Sequence, residues 1–429
     1  MLKLEKLLHF LIIISLCIPG KIKFGESAPH YGGAEFALVA FDIPFIFLCL
    51  FKFLTLSIQP SKFSIINNSY LKLLFIYISL NILILPFSES LNYSIFEIVR
   101  LIKYFVWFLL LSSFIRVLRN LDTVLYALAF IVISQFLIVL IQSSLGVTIS
   151  GWRNNEVTDL NMIGETMFRA SGTFGHPGIL SQFIVVISPI FLMAFRSFSG
   201  IKSKFFLLIS IFSIYIVVQT YARTGIFILS VILFVFYVAY IFDQKRIKNK
   251  IYGLFLGFMS AVFLFKSFSD QVMYRFNNAD VSSSNTRNQL NNVAFDMFFD
   301  NPFFGVGLNT FTEVLSRYDS FNVVSYLNYP VHNIYLLILS ETGMVGFVSF
   351  MIINFFVIID LYRIMVSQYF ISIGNFAFSF LLAYLAMLLF AFLGWSWRID
   401  CMQGIYFLLL ACASTLRYNL NLKVESKDK

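Results

Sequence analysis

Charged side chains are scarce in this sequence of 429 residues. Asp, Glu, Lys and Arg make up 12% of the chain, roughly half the share that soluble domains carry. Hydrophobic residues make up 59%, more than a soluble core of this size can hide, so the expected solvent is a lipid bilayer. The scarcity of charge therefore excludes a soluble domain and predicts an all-α integral membrane protein.

Cysteine is also scarce, and its placement excludes two kinds of site. The four cysteines lie in or beside apolar runs and form no Cys-x-x-Cys pair, so neither disulfides nor thiolate metal sites are expected. The polar loops predicted below to face outward contain no Asp-x-Asp motif and no carboxylate cluster. The sequence therefore predicts neither a metal nor another cofactor.

Apolar runs long enough to cross a bilayer occur along most of the chain. The first run follows "MLKLEK" without a convincing signal-peptidase site, so a retained helix is favoured over a cleaved signal peptide. About twelve transmembrane helices are predicted. Their expected positions are 7–20, 35–57, 71–87, 94–115, 122–144, 179–196, 204–220, 224–242, 251–266, 334–359, 371–393 and 400–416.

The distribution of Lys and Arg predicts how these spans are oriented. Basic residues cluster in "RVLRN", "RSFSGIKSK", "DQKRIKNK" and the C-terminal tail, whereas "PFSESLNYS" has none. Basic loops face the cytoplasm, so both termini are predicted to be cytoplasmic, and the net charge of +9 indicates topology rather than nucleic-acid binding. The predicted regions are a five-helix region over 1–144, an outer loop over 145–178, helices six to nine over 179–266, a long outer loop over 267–333, the last helices over 334–416 and a tail over 417–429.

The long outer loop over 267–333 is polar and rich in Asn, Ser and Asp. Loops of this length without secondary structure are uncommon and often functional. Within it, apolar residues recur at helical spacing, which predicts an amphipathic helix lying on the membrane surface. These residues are Leu290, Val293, Ala294, Met297 and Phe298.

Two outer stretches combine glycine with arginine. "FRASGTFGHPGIL" contains Arg169, Gly175 and His176, and "QTYARTGIFIL" contains Arg223 at the tip of a short turn. A glycine backbone can approach an anion closely, and a helix N-terminus beside an arginine favours a phosphate. The alternatives are a turn-rich loop for the first stretch and, for the second, an arginine that extends to the membrane interface.

Two further outer stretches lie in the long loop and at its end. The first runs from "SSSNTRNQ" to "DNPFFGVGLNTF" and contains Arg287, Gly305 and Gly307. The second, "NYPVHNIYLLILSETGMVGF", contains His332 and Asn333, where the tenth span is predicted to begin. The alternatives are a loop helix with a tight turn, and a histidine that only marks the membrane interface.

Charged residues also occur inside the predicted spans. Asp42 is expected about seven residues into the second span, and Glu97, Arg100 and Lys103 share one face of the fourth. Similar depths favour an ion pair between Asp42 and Arg100, which lowers the cost of burying both charges. This pair is predicted to be mainly structural.

Together the four outer stretches resemble the O-antigen ligase and polymerase superfamily of bacterial envelope glycan enzymes. "HNIYLLILSETGMVG" resembles the family's element of His-Asn, nine residues and Gly-x-x-Gly, and "DNPFFGVGLNTF" resembles its Asn-Pro-x-x-Gly-x-Gly element. "YARTG" and "RASGTFGHPG" resemble its two arginine-glycine elements. The likeness covers residues 160–350, and the first 150 residues match only in hydropathy.

The resemblance implies a GT-C-like glycosyltransferase in the bacterial inner membrane. Such an enzyme takes a glycan from undecaprenyl diphosphate on the periplasmic face, with inversion and without nucleotide sugar or metal. The leading prediction is a polymerase for O-antigen or exopolysaccharide, whose acceptor is another lipid-linked repeat unit. The alternative is a ligase, whose acceptor is the lipid A core. Membrane lipids and a chain-length regulator protein are further candidate partners.

The chemistry of this transfer suits the candidate residues. Arginines stabilise the charge that grows on a departing diphosphate, which suits Arg169, Arg223 and Arg287. Histidine has an ordinary pKa near neutrality, so His332 is the predicted general base for the acceptor hydroxyl, or a residue that only orients the acceptor. The predicted substrate-binding residues are Asn333, Gly175, His176, Gly305 and Gly307.

Two other classes of protein remain as alternatives. One is a flippase of lipid-linked sugars, although no inverted repeat is visible. The other is a non-catalytic scaffold.

Overall fold

The computed structural model describes most of the chain as helices joined by short connections. The described residues are 2–18, 20–23, 37–58, 69–146, 160–162, 165–241, 281–320, 329–367 and 371–425. The helices are α1 (Leu2–Ser15), α2 (Asp42–Ile58), α3 (Ser69–Ile84), α4 (Leu91–Ile115), α5 (Leu121–Leu145), α6 (Pro177–Ser197), α7 (Gly200–Gln219), α8 (Arg223–Ile241), α9 (Val281–Asp300), α10 (Phe311–Tyr318), α11 (Ile334–Val366), α12 (Ile371–Ala391) and α13 (Asp400–Glu425).

The prediction of an all-α membrane protein is confirmed. Each predicted span except 251–266, which lies outside the described residues, overlaps a helix. Within the described part of the chain, 7 of these helices are long and apolar enough to cross a membrane. The full count of twelve spans stays a prediction.

Two short antiparallel hairpins accompany the helices. Strands β1 (Lys21–Lys23) and β2 (Ala37–Val39) form the first, and β3 (Leu160–Met162) and β4 (Glu165–Met167) form the second. The second span was predicted to start at 35, but α2 begins only at Asp42, after β2 and the turn at Ala40 and Phe41. An apolar run suits a strand as well as a helix, and that ambiguity shifted the predicted helix start by about two turns.

The chain forms two compact units. The first comprises Met1–Ile131 and Ser283–Lys429, and the second comprises Val132–Ser282. In the first unit α4 packs on α13, and α11 packs on α3, α12 and α13. In the second unit α6 packs on α7 and α8. Helix α6 is buried all round from Leu180 to Ala194, which is typical of a helix at the centre of a bundle.

Connections predicted to share one side of the membrane lie together in the first unit. The amide of Glu89, between α3 and α4, donates to the carbonyl of Val306 at 2.9 Å, and Glu89 also pairs with Arg317 at 2.8 Å. At the other end of the helices, Asp360 on α11 bonds with Tyr70 on α3 and pairs with Arg417 on α13. The contacts support the predicted alternation of the spans, while the assignment of either end to the cytoplasm stays a prediction.

The long predicted loop contains the helix that its sequence pattern indicates, α9, and a second helix that was not predicted, α10. The prediction that the apolar face of the amphipathic helix lies on the membrane surface was wrong, however. The apolar face of α9, formed by Leu290, Val293, Ala294 and Met297, is buried inside the protein. Phe295 and Phe299 on other faces are 41% and 70% exposed. Helical spacing identifies an apolar face but does not distinguish lipid from protein as its partner.

Candidate functional site

The backbone around His332 is fixed on both sides. Pro330 and Val331 before it are buried, and Asn333 after it is the N-cap of α11. The side-chain oxygen of Asn333 accepts hydrogen bonds from the amides of Tyr335 at 2.9 Å and Leu336 at 3.3 Å, and such caps satisfy amides that lack a helical partner. His332 is therefore half-buried at the mouth of α11, in the position that the sequence predicts.

Helix α11 is interrupted at Gly343, which has φ 58° and ψ −163°. In a continuous helix the amides of the next two residues would donate to carbonyls one turn earlier. Instead, the amide of Met344 donates to the carbonyl of Pro302 at 2.8 Å. The amide of Val345 donates to the carbonyl of Phe303 at 3.2 Å. The segment 301–310 therefore takes over the donors that the break in α11 releases.

The same segment takes over the acceptors released at the break. The amide of Val306 donates to the carbonyl of Ser340 at 3.0 Å, and the amide of Gly307 donates to the carbonyl of Glu341 at 2.9 Å. An unpaired backbone group in a bilayer costs several kcal/mol, roughly, so a broken span needs such partners. The element "DNPFFGVG" and the element ending in Gly-x-x-Gly are thus two halves of one interlock.

Glycines make this interlock sterically possible. A Cβ on Gly343 would overlap the backbone of Phe303, and a Cβ on Gly305 would overlap the backbone of Glu341. Gly305 and Gly307 are buried, and their amides donate to the carbonyls of Asn301 and Glu341. Packing therefore accounts for both glycines, and a contact with substrate stays a prediction for each.

In the second unit, the two arginine-glycine stretches lie side by side. The Nε atom of Arg169 donates to the carbonyl of Thr220 at 3.1 Å, and the amide of Ala170 donates to the carbonyl of Gln219 at 3.1 Å. These bonds join the loop 168–176 to the turn 219–223, which carries Arg223. Two sequence motifs about 50 residues apart in the chain thus form one local site.

The turn 219–223 holds a strained residue. Tyr221 has φ 48°, a left-handed conformation that is rare for a side chain of this size. Such outliers cost about 1–3 kcal/mol and cluster at functional sites. Burial also raises the pKa of the Tyr221 hydroxyl. The strained backbone supports a functional role for this turn in addition to the support from its sequence.

Arg223 begins α8 and its side chain is exposed. A cation at a helix N-terminus opposes the helix dipole, so this position is unfavourable for a positional arginine and favourable for one that meets an anion. Gly225, two residues later, allows α8 to approach α6, because a Cβ there would overlap the hydroxyl of Ser181. Arg223 therefore sits on a tightly fixed helix end.

The remaining predicted residues have varied surroundings. His176 is exposed and forms the N-cap of α6, because its Nδ1 accepts a hydrogen bond from the amide of Gly178 at 3.0 Å. Gly175 has φ 69°, which suits the tight turn before that cap.

The three candidate arginines lie in different units. Arg287 is exposed on α9 in the first unit. Arg169 and Arg223 lie in the second unit, so the convergence of all three arginines with His332 stays a prediction.

A pair of glutamines that the sequence motifs do not identify holds the loop 168–176. Gln142 accepts hydrogen bonds from the amides of Ser171 at 3.2 Å and Gly172 at 2.8 Å, and donates to the carbonyl of Gly172 at 3.1 Å. Gln135 accepts from the amide of Thr173 at 2.9 Å and donates to its hydroxyl at 2.9 Å. Their spacing of seven residues in an apolar run was the available signal, because it puts both amides on one face of α5.

We expect Gln142→Leu to loosen the loop that carries Arg169. Each buried amide left without a partner costs about 1–3 kcal/mol, so the loop should become sensitive to protease and the thermal midpoint in detergent should fall. The matched control is Ser144→Ala on the same helix, because among the described residues that hydroxyl bonds to carbonyls of α5 alone. Equal protease resistance in both variants would contradict the role given to Gln142.

The predicted ion pair between Asp42 and Arg100 is wrong. Asp42 pairs with Lys103 at 2.9 Å, and Arg100 pairs with Glu97 and donates to the carbonyl of Arg398 at 2.8 Å. The prediction assumed that Asp42 lies about seven residues into a span, but Asp42 is the first residue of α2, so the depth on which the pairing was based does not hold. The shared face of Glu97, Arg100 and Lys103 is confirmed as the centre of a buried charged cluster.

Three members of that cluster were missed by sequence analysis, namely Glu341, Arg398 and Asp400, which lies 3.9 Å from Lys103. Glu341 and Arg398 form a buried ion pair, and Arg398 also reaches Glu97 at 3.4 Å. Burying a carboxylate inside an apolar span costs free energy, so such a residue is a sign of structure or function, and Glu341 within "LSETGMVG" was the available signal.

Among the described residues no group of His, Cys, Asp and Glu is arranged to hold a metal ion, and metal independence stays a prediction.

Comparison with known proteins agrees with the motifs. Residues 208–351 match the family model described as O-antigen ligase (Wzy_C), a stretch that contains Arg223, Arg287, His332 and the break in α11. No curated protein matches the chain.

Proposed function

We propose that this chain is a glycan polymerase. The premise is that it is a multi-pass membrane protein related to the O-antigen ligases. Its donor is a repeat unit linked to undecaprenyl diphosphate, and its acceptor is a sugar hydroxyl of another lipid-linked unit. Transfer takes place on the periplasmic face of the inner membrane. The observation that supports glycan transfer is the family match over 208–351, because it spans both His332 and two of the three candidate arginines; the match does not distinguish a polymerase from a ligase.

The chemistry assigned to the site requires no metal and no nucleotide. The acceptor oxygen attacks the anomeric carbon from the face opposite the diphosphate, which inverts that centre. The bond between the anomeric carbon and the phosphate oxygen breaks, and the diphosphate leaves with the electron pair. His332 takes the proton of the acceptor hydroxyl as general base.

Arginines are given the task of stabilising the departing diphosphate. Arg169 and Arg223 flank one hydrogen-bonded pair of segments in the second unit, and Arg287 lies on α9 of the first. A guanidinium binds two phosphate oxygens at once, and such charge-assisted bonds gain strength as charge develops. The strained Tyr221 and the clamped loop 171–173 support a preorganised anion site at the second unit's arginines.

The broken helix α11 argues against a transporter. Transporters use unwound helices to bind substrate with freed backbone groups near the middle of the membrane. Here the groups released at Gly343 bond to the segment 301–310 of the same chain, so this break serves folding. A flippase therefore remains the less favoured alternative.

A ligase differs from a polymerase in its acceptor alone, and a deletion strain separates the two. We expect loss of this protein to leave single repeat units attached to the lipid A core, or to abolish a secreted polymer, because no chain elongation takes place. Gel electrophoresis of the envelope glycans provides the measurement. Polymer that accumulates on the lipid carrier with no repeat on the core would contradict the polymerase assignment and identify a ligase.

A further inference from the structure

Glu341 is bonded to the segment 301–311 through both its backbone and its side chain. Its carbonyl accepts the amide of Gly307 at 2.9 Å, and its Oε1 atom accepts the amide of Phe311 at 3.3 Å. Phe311 is the first residue of α10. Glu341 therefore holds the glycine turn and the start of the next helix at once, two residues before the break in α11.

Arg398 holds the other carboxylate oxygen of Glu341. One terminal nitrogen of Arg398 pairs with Oε2 of Glu341, and the other lies 3.4 Å from Oε1 of Glu97 on α4. Both side chains of the Arg398–Glu341 pair are nearly inaccessible to solvent, at 6% and 3% exposure. A guanidinium fork is suited to bridging two carboxylates in this way.

Stability alone is a poor reason for this buried pair. Desolvating two charges offsets most of their attraction, and apolar residues of similar volume often serve as well or better. A pair of charges does impose a fixed geometry, which apolar packing does not. That geometry bears on His332, because the half-helix 334–342 connects it to Glu341.

We propose that Glu341 and Arg398 form a positioning pair that fixes the half-helix 334–342, and with it His332, against the segment 301–311. The proposal rests on the glycan transfer proposed above. Neither residue of the pair touches the reacting atoms. Their effect is on the placement of His332, where a shift of about 1 Å costs on the order of 100-fold in rate.

Two single variants test the pair in purified protein, with activity expressed per folded molecule. Glu341→Gln keeps an acceptor for the Phe311 amide but loses the charge. Arg398→Lys keeps the charge but replaces the fork by one ammonium. For both we expect polymer formation to fall about 10–100-fold, while gel filtration shows a folded protein.

A double variant separates positioning from folding. Glu341→Gln alone leaves Arg398 with one carboxylate fewer, whereas Glu341→Gln with Arg398→Gln leaves Glu97 and Arg100 as a balanced pair. We expect the double variant to regain the thermal midpoint but not the activity. Recovery of activity together with the midpoint would overturn the proposal, because it would mean a structural role only.

The matched control lies on the same helix. Asp360 of α11 is a buried carboxylate paired with Arg417, so Asp360→Asn makes the same chemical change far from His332. We expect it to keep wild-type activity per folded molecule. If Arg398→Lys keeps wild-type activity in an assay where His332→Ala is inactive, the positioning role of the pair is contradicted but the proposed glycan transfer is not. If the wild-type protein itself is inactive, the proposed glycan transfer is contradicted.

Discussion

His332→Ala is expected to abolish glycan polymer while leaving the protein inserted in the membrane at its normal level. In the proposed reaction His332 is the general base for the acceptor hydroxyl, and a positioned base contributes about 10²–10⁴-fold to such a reaction. The side chain is half-buried at the mouth of α11, and the neighbouring Asn333 keeps its cap, so the helix should form as before. Polymer in a complemented deletion strain, seen on a gel, is the measurement.

The control for this variant is another histidine of the same chain. His9 is fully buried in α1 and stacks on Phe114 at 4.4 Å. His9→Phe keeps an aromatic ring in that stack and should leave polymer unchanged. Normal polymer from the His332→Ala strain would remove His332 from the reaction.

Gly343→Ala is expected to have the largest effect on folding. The new Cβ would overlap the backbone of Phe303, so the segment 301–310 could not reach the break in α11. Four backbone hydrogen bonds depend on that contact. We expect a loss of more than about 3 kcal/mol in the free energy of unfolding, measured as a lower thermal midpoint and less folded protein after extraction.

Gly200→Ala measures the cost of a side chain at a positive φ where the new Cβ meets no neighbouring atom. Gly200 has φ 63°, close to the φ of 58° at Gly343, but a Cβ there would meet no atom within 4 Å. The left-handed conformation alone costs about 1–2 kcal/mol. Equal destabilisation of the two variants would mean that the interlock with 301–310 contributes nothing.

The start of α11 was predictable, whereas its break was not. Pro330, a polar His-Asn pair and an apolar run are local signals, and the helix begins at Ile334 as they indicate. Gly343 within the same run is indistinguishable from a helical glycine, since one glycine costs a helix only about 1 kcal/mol. The break exists because the segment 301–310, over 30 residues earlier, replaces its hydrogen bonds.

The charged cluster shows a second limit of sequence analysis. Helical spacing places Glu97, Arg100 and Lys103 on one face of α4, which the structure confirms. Their partners lie on three other elements, namely α2, α13 and the connection between α12 and α13. Which charges meet is decided by how the helices pack, and the apolar run before Asp42 concealed where α2 begins.

In the candidate site, too, local features were predictable from the sequence, whereas contacts that depend on packing were not. The motifs identify His332 and the three arginines as residues worth testing, because each lies in a polar stretch beside an apolar span. The motifs do not identify the groups that hold those stretches in place. Gln142 and Glu341 each act through contacts that only the packed helices create.

The most direct test of the account is a transfer assay with the purified protein in lipid vesicles. The only substrate is an undecaprenyl-diphosphate-linked repeat unit, with neither nucleotide sugar nor divalent metal added. For a glycan polymerase we expect a ladder of longer lipid-linked glycans and one undecaprenyl diphosphate released for each bond formed. Movement of the intact lipid-linked unit across the bilayer, with no new glycosidic bond, would contradict it.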